Sequence, residues 1–475
     1  MLKSNPLCHD NFQEPSGSQL ISFFALNMLN IFSHLPQDGG KWQLVGKLHI
    51  TLPNSANHLI ERHTFSYELP YSHSKYAFPI DPTSLGVKQP PSSEVYFPAH
   101  GLLSFGGICD AAPDAWGRRV IETRFNASLN GLPESTYLLA AGGDRIGALD
   151  IRASINSPYT PSACPIDKIS TLLEIKSIIE SEALLPSTFL HLLPSMCGAG
   201  GARPKAIIRD EDMCLWLAKF PSANDSHDLV TAEYCAMKLA KACGLNVAEV
   251  RREFIGNQPI LLVRRFDRFW HHLDESIHTA NLYDALQKPG AHEYRIPFIS
   301  ALTLLGCSEF DSPYMSYSHL ANAIRQNVHP DFVEADCKEL FSRMVYNILI
   351  NNDDDHLRNH GFLYDFRISG WRLSPVYDVV PRPSFSYERR LHLNIGTEGK
   401  VASLENALSC YGDFVKDEEI AIDCIRQLWS KVRLWKSCFS SYGASESTIN
   451  DVSTAFRPLE VMANKDLVSR IERKK

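Results

Sequence analysis

The segment Leu349-Ile350-Asn351-Asn352-Asp353-Asp354-Asp355-His356-Leu357-Arg358-Asn359-His360-Gly361-Phe362 concentrates side chains that could do chemistry. Three consecutive aspartates follow an apolar run, Phe341 to Ile350, that reads as a buried helix. Packing of that helix confines the three charges instead of leaving them on a solvated tail. Asn359 stands five positions after Asp354. An aspartate that takes the proton of an attacking hydroxyl, followed at that spacing by an asparagine that holds a metal ion, is equipment for phosphoryl transfer. A second apolar run, Leu373-Ser374-Pro375-Val376-Tyr377-Asp378-Val379-Val380, carries Asp378 as a lone carboxylate, where charge is costly without compensation. Mg2+ would compensate it, being commonly held by one or two carboxylates plus substrate phosphates. The residues therefore read as Asp354 for the base, with Asn359 and Asp378 as metal ligands.

The elements that would position these groups lie upstream. Ser195-Met196-Cys197-Gly198-Ala199-Gly200-Gly201-Ala202-Arg203-Pro204-Lys205 is Gly-rich, but no Gly-Lys-Ser/Thr closes it and the third glycine of a dinucleotide fingerprint is missing. Alone it is a weak signal, and a plain turn competes with a phosphate cradle. Leu215-Trp216-Leu217-Ala218-Lys219-Phe220-Pro221 follows as a strand with a lysine among apolar residues. Lys219 reads either as a snorkelling side chain or as a phosphate contact. Asp228 to Cys243 is a helix, with Asp228 as N-cap and Gly244 as terminator, and Glu233 sits near its start. A strand lysine paired with a glutamate on the next helix fixes a nucleotide-binding lysine; charge complementarity with the helix dipole is the bland alternative. Gln258 to Arg268 is a further strand running into a hinge, which makes Val263 and Arg264 candidate nucleotide contacts.

At 475 residues the chain exceeds the size at which single cores stop growing, so two or more domains are expected. Its 44% hydrophobic and 21% charged residues are those of a soluble globular protein, and a net charge of −7 gives no general pull toward nucleic acid. The basic pairs Arg118-Arg119, Arg251-Arg252, Arg264-Arg265 and Arg389-Arg390 read as solvated faces. Twelve scattered cysteines, with no C-x-x-C pair, suit reduced thiols in a cytosol and argue against zinc or a disulfide framework. Leu20 to Phe32 is broken by Ser22, Asn27 and Asn30 and is too short to span a bilayer, so a cytoplasmic protein is expected.

The expected organisation is a poorly ordered residue 1–18 stretch, a mainly β subdomain at 19–160, a small lobe with the Gly-rich loop at 161–265, and a helical lobe at 266–475. Ser157 to Pro165 reads as a linker. Helices are expected over 114–125, 167–182, 281–287, 296–305, 315–326, 335–350, 417–435 and 449–462, and a hairpin over 361–373 that carries Asp378 back beside Asp354. Gly142-Gly143-Asp144-Arg145-Ile146-Gly147 reads as a structural turn, with a phosphate cradle as the rival.

Gly-rich loop, strand Lys, helix Glu, hinge strand, Asp with Asn, and a final Asp arrive in the order used by protein kinases. Two rivals stand beside that reading. One is metal-dependent phosphodiester hydrolysis by Asp353, Asp354, Asp355 and His356, which leaves Lys219 unexplained. The other is a kinase-shaped scaffold that binds a partner or a repressor complex.

The motifs around Asp354, Asp378 and Gly201, together with Arg265-Phe266-Asp267-Arg268 and Gly143-Asp144-Arg145-Ile146-Gly147-Ala148-Leu149, resemble the HipA-type serine/threonine kinases, the toxins of bacterial toxin–antitoxin pairs. The resemblance runs from about Phe97 to the C-terminal helices. It implies an α+β, two-lobed kinase-like fold, with a mixed α/β N-terminal part, an all-helical C-terminal lobe and ATP between lobes. It also implies Mg2+-dependent phosphorylation of a protein Ser or Thr, in some members on an aminoacyl-tRNA synthetase, and a small DNA-binding HipB-like antitoxin through which alone DNA is met. By position Asp354 matches the base, Asn359 and Asp378 the Mg2+ ligands, Lys219 the ATP-phosphate lysine, and Gly200, Gly201, Ala202, Arg203 and Lys205 the phosphate loop. His356 matches a family histidine between base and Asn, with its role open. One departure concerns a serine three residues before the loop's Gly-Ala pair, whose autophosphorylation switches well-known members off. Gly198 fills that slot, and Ser195 is the nearest candidate.

Overall fold

The computed structural model describes residues 26–35, 41–52, 60–74, 77–86, 94–198, 200–272 and 276–473. The 1–18 stretch expected to lack order lies outside the described residues. Four antiparallel strands form the first sheet: Met28–Ser33 (β1), Gln43–Thr51 (β2), Arg62–Tyr67 (β3) and Leu149–Arg152 (β4), in the order β3-β2-β1-β4. The second sheet contains Cys164–Pro165 (β5), Lys205–Arg209 (β6), Leu215–Lys219 (β7), Val250–Ile255 (β8) and Gln258–Arg264 (β9), in the order β5-β6-β7-β9-β8. The stretch expected as a linker therefore ends inside a sheet, with Cys164 buried and paired in parallel with Ile208.

Trp116, Val120 and Ile121 of the Ala115–Phe125 helix share a core with Ile208, Trp216 and Ala218 of the second sheet. Gly117 permits this approach, because a Cβ there would lie 2.6 Å from the carbonyl oxygen of Cys197. That helix thus sits against the Gly-rich loop although the sequence assigns it to the first subdomain.

The part beyond residue 265 is mostly helical but not wholly so. It also carries Arg268–His271 (β10), His292–Arg295 (β11), Phe298–Ser300 (β12), Gly361–Asp365 (β13) and Gly370–Leu373 (β14), in a two-stranded and a three-stranded sheet. The helix expected over 281–287 is only a turn at Leu282–Asp284, and the one over 296–305 divides into β12 and the short helix Ala301–Leu304. Expected helices over 315–326 and 335–350 appear as Tyr317–Asn327 and Val333–Ile350, and the hairpin appears as β13–β14. The Val333–Ile350 helix stops at Asn351, whose φ of 53° ends it in the left-handed region that Asn tolerates. Among the described residues no helix is long and apolar enough to cross a membrane.

The two motifs 143–149 and 265–268 turn out to be one structure. Asp267 accepts from Arg265 (2.6 and 2.7 Å), Arg268 (2.7 Å) and the Gly147 amide (2.6 Å). Arg265 and Arg268 also donate to the carbonyls of Asp144, Arg145 and Gly147. This clamp ties the loop ahead of β4 to the end of β9. Arg265 is therefore buried, and so is Arg389, whose guanidinium donates to the carbonyls of Ser384, Thr454 and Ala455. The solvated-face expectation fails for both, because each also meets backbone carbonyls remote in sequence.

Candidate active site

Strand register brings the lysines together. Lys205 and Lys219 are direct partners across β6 and β7, so their side chains share a face of the sheet. The Leu229–Ala242 helix forms where expected, with the Asp228 carboxylate accepting from the Thr231 amide, and it buries Glu233 against Lys219. The Lys219 ammonium donates to Glu233 Oε1 at 2.6 Å and to Asp378 Oδ1 at 2.7 Å. Asp378 arrives there because the chain after β14 docks on the segment before β8: the Val376 amide donates to the Asn246 carbonyl, and the Ala248 amide to that of Val376. The φ of Asp378 is 58°, a left-handed conformation that a carboxylate residue holds only at a cost.

Charge follows this geometry. Burial works against the Lys219 cation, but Asp378 and Glu233 outweigh it and hold its pKa well above the ordinary range. Burial also opposes ionised Asp378, yet Lys219 and then Lys205 hold its carboxyl well below the usual range. Lys205 has no carboxylate of its own: burial, then the neighbouring Lys219, push it down to about 8. Its ammonium donates to the Gly200 carbonyl.

The three aspartates of the catalytic-loop candidate face different ways. Asp355 is buried; it accepts from the Tyr317 hydroxyl and lies 2.9 Å from His360 Nε2. Asp353 and Asp354 are open and share Arg382, at 3.2 and 2.5 Å. The Asn359 amide nitrogen donates to the Asp354 carbonyl at 2.9 Å, which leaves its oxygen as the group able to meet a cation. The Tyr377 hydroxyl donates to the Arg358 carbonyl at 2.7 Å, fastening the Asp378 segment to the loop beside Asn359. His356 donates its backbone amide to the Asp354 carbonyl, and its ring stands 5.9 Å from that of His392.

Among the described residues no three or more His, Cys, Asp or Glu side chains gather as an ion site. An ion here would draw on the hard oxygens of Asp378 and Asn359 and take its remaining ligands from a nucleotide, the usual habit of Mg2+. The donor set fits that ion. It does not fit the hydrolase rival, since Asp355 turns away from Asp353 and Asp354.

The Gly-rich loop lies folded against the Ala115–Phe125 helix. Gly201, at φ 103°, donates its amide to Asp114 Oδ2 at 2.6 Å. Arg358 of the catalytic-loop candidate reaches Asp110 at 3.5 Å and the same Asp114 at 3.8 Å. Arg203 is committed to Asp225 at 2.5 and 2.8 Å, while Gly200 and Ala202 are exposed or nearly so. Ser195 is buried, with its hydroxyl donated to the Leu192 carbonyl, so in this conformation it is no acceptor.

Two residues expected as nucleotide contacts have other partners. Val263 and Arg264 lie on β9, an internal strand between β7 and β8, so ladder partners flank both of its edges. The Arg264 guanidinium goes to Glu249 and the Tyr283 carbonyl. Sequence reasoning missed Asp114, Arg358 and Arg382. Asp114 looked like a helix start and nothing more, and neither arginine belongs to a spacing rule that links it to Asp354.

Residues 197–435 match the family model of the HipA-like C-terminal domain. Over 306 residues the chain is 24% identical to a Sinorhizobium fredii protein named "Putative kinase Y4mE", covering 60% of this chain and 66% of that protein. Over 176 residues it is 27% identical to the serine/threonine-protein kinase toxin HipA of Shewanella oneidensis, covering 36% of this chain and 39% of that toxin. The chain thus spans two thirds or less of these relatives. Among solved structures, the Shewanella oneidensis complex of HipA, HipB and operator DNA has a chain that superposes with a TM-score of 0.61 at 18% identity, over 94% of this chain and 96% of that one. That likeness shows the fold. With a family match across half its length, on a kinase-like two-lobed α+β frame that joins Lys219, Glu233 and Asp378, the chain belongs to the HipA-like family.

Proposed function

We propose that this protein is an ATP- and Mg2+-dependent serine/threonine protein kinase of the HipA toxin type. The observation that carries the reading is Lys219, held at once by Glu233 and Asp378 from elements distant in the chain. Glu233 fixes the lysine so that its ammonium can pass from Asp378 to a nucleotide phosphate. The amides around Gly201 and the Lys205 ammonium border the same space. Bound Mg2+ would neutralise charge on the phosphate oxygens. Asp378 and Asn359 hold that ion, and Asp354, oriented by Arg382, accepts the proton of the attacking hydroxyl. His356 donates its backbone amide to the Asp354 carbonyl.

An aminoacyl-tRNA synthetase is the substrate to which the family resemblance points. A small HipB-like antitoxin is the matching partner, supported by the HipA–HipB–DNA structure of similar fold, and DNA would be met only through it. Mg·ATP should stabilise the protein thermally, an effect lost in Asp378→Ala. Label transfer from ATP to protein should vanish in Asp354→Ala. A protein that is not stabilised by Mg·ATP would sink the kinase reading in favour of a binding scaffold. Mass spectrometry of material co-purified from the native cell identifies partner and phosphorylated target.

A further inference from the structure

The most exposed aromatic side chains among the described residues are Phe310 (88%), Tyr314 (77%), Phe385 (94%) and Tyr387 (93%). They belong to two loops, and both loops are fastened to the catalytic-loop candidate. Around Phe310 and Tyr314, Glu309 accepts from Arg358 at 2.7 Å, and the Ser312 hydroxyl meets the Leu357 amide and His392. The loop of Phe385 and Tyr387 begins at Arg382, which holds Asp353 and Asp354. One aromatic pair thus adjoins each end of the segment 353–358.

Neither loop is loose. The Ser384 amide donates to Thr454 Oγ1, Arg389 donates to the Ser384 carbonyl, and Arg457 donates to the Tyr387 carbonyl at 2.7 Å. Asn394 donates to the Tyr314 carbonyl, and Asp311 accepts from Ser308. Aromatic rings left in water on a fixed backbone are the kind of anchor that binding surfaces use, and a fixed backbone lowers the ordering cost of binding. The nearby arginines are already engaged: Arg382 by Asp353 and Asp354, Arg390 by Glu388, and Arg358 by Glu309. An acidic ligand therefore finds no free cation among them, whereas an apolar one covers the four rings.

Resting on the kinase reading above, we infer that these two aromatic loops form a substrate clamp. Its occupant is an extended polypeptide segment whose acceptor Ser or Thr is flanked on both sides by large apolar residues. The rings seat the flanking side chains and so present the hydroxyl to Asp354. They are positioning and specificity residues, since none of them touches the transferring phosphate.

The test uses the full chain, labelled ATP and a library of short peptides with a fixed Ser or Thr and randomised flanks. The wild type should select aromatic or aliphatic residues on both sides of the acceptor. Two double variants, Phe310→Ser with Tyr314→Ser and Phe385→Ser with Tyr387→Ser, should each flatten the preference on one side. Each should raise KM for the best peptide about tenfold or more with kcat retained. All four rings are exposed, so melting temperature and Mg·ATP affinity should stay at wild-type values. Selection of charged flanks, or unchanged selection in both variants, overturns the clamp. So does Mg·ATP binding without transfer to any peptide, and the kinase reading survives that result. A dimer in sedimentation that the variants dissociate, or vesicle binding that they abolish, would assign the rings to another occupant. Failure to bind Mg·ATP removes the clamp and the kinase reading together.

Discussion

Two buried charge clusters in this molecule look alike in sequence and differ in how they are finished. In the clamp, Asp267 and Asp144 are wholly buried and every carboxylate oxygen has a donor: Arg265, Arg268 and Gly147 for Asp267, and Tyr159, Ser162 and Ala163 for Asp144. In the candidate active site, Lys219 is shared by two carboxylates, Lys205 has only a carbonyl, and Asp354 is half exposed with one arginine. The clamp engages every oxygen of its two carboxylates, whereas the site leaves carboxylate and ammonium capacity in reserve. Reserve capacity beside a cleft is what phosphoryl transfer needs, since catalysis there is positioning and charge stabilisation. A charged motif therefore marks a function only when its partners leave it unfinished.

The sharpest way to break that comparison is to swap the phenotypes. Asp354→Ala and Asp378→Asn should each cost about a thousandfold or more in phosphoryl transfer, on the order of 4 kcal/mol of barrier. Asp354→Ala should keep the wild-type melting temperature because Asp354 is open, whereas Asp378→Asn removes one of the two carboxylates on buried Lys219 and leaves Glu233, so its melting temperature should fall by less than that of Asp267→Asn. Loss of fold in either variant would make the site as structural as the clamp.

Asp267→Asn should do the reverse. It leaves Arg265 and Arg268 buried beside a neutral amide, and breaking a buried pair costs about 3–5 kcal/mol. Urea unfolding should show a lowered midpoint with an unchanged slope, and transfer per folded molecule should persist. An unshifted midpoint would strip the clamp of its role.

Acid sharpens the same contrast. Burial would raise the Asp144 pKa, but Arg295, Arg268 and the amides of Ala163 and Ser162 bring it down to about 2. A depressed carboxyl contributes stability that is complete above its unfolded value near 4 and is lost as pH falls through about 2. The amount is about 2 kcal/mol. Stability measured between pH 5 and 2 should fall by that much more in the wild type than in Asp144→Asn.

These outcomes bear on what a sequence can disclose. The meeting of Lys219 and Asp378 was legible because polar residues inside apolar runs demand a reason, and the Asp228 cap and the long apolar run before Asn351 announced their helices. The two-lobed α+β frame was legible too, through the order of motifs and the resemblance they carry. In the C-terminal part the β13–β14 hairpin was legible but β12 was not, since it has only three residues and no period can show. Val263 and Arg264 were read from their strand alone, and the partners that surround that strand, such as Glu249 and the Tyr283 carbonyl for Arg264, are a property of the assembled sheet. The burial of Arg265 was hidden because, beyond Asp267, its partners are the carbonyls of residues 144 and 145, across a separation no local pattern spans.

The smallest expected effect tests the junction between loop and helix. Asp114 accepts the Gly201 amide and stands near Arg358, so a carboxylate occupies an amide that a nucleotide phosphate would want. Asp114→Asn keeps an oxygen for that amide and removes the negative charge. Mg·ATP should then bind about three- to tenfold more tightly by calorimetry, a gain of about 1 kcal/mol, because like-charge repulsion with the phosphates is relieved. The gain should shrink with added salt, since it is electrostatic in origin. Weaker binding in this variant would mean that the carboxylate holds the loop in its working shape, and Asp114 would then belong with the finished cluster and not the open one.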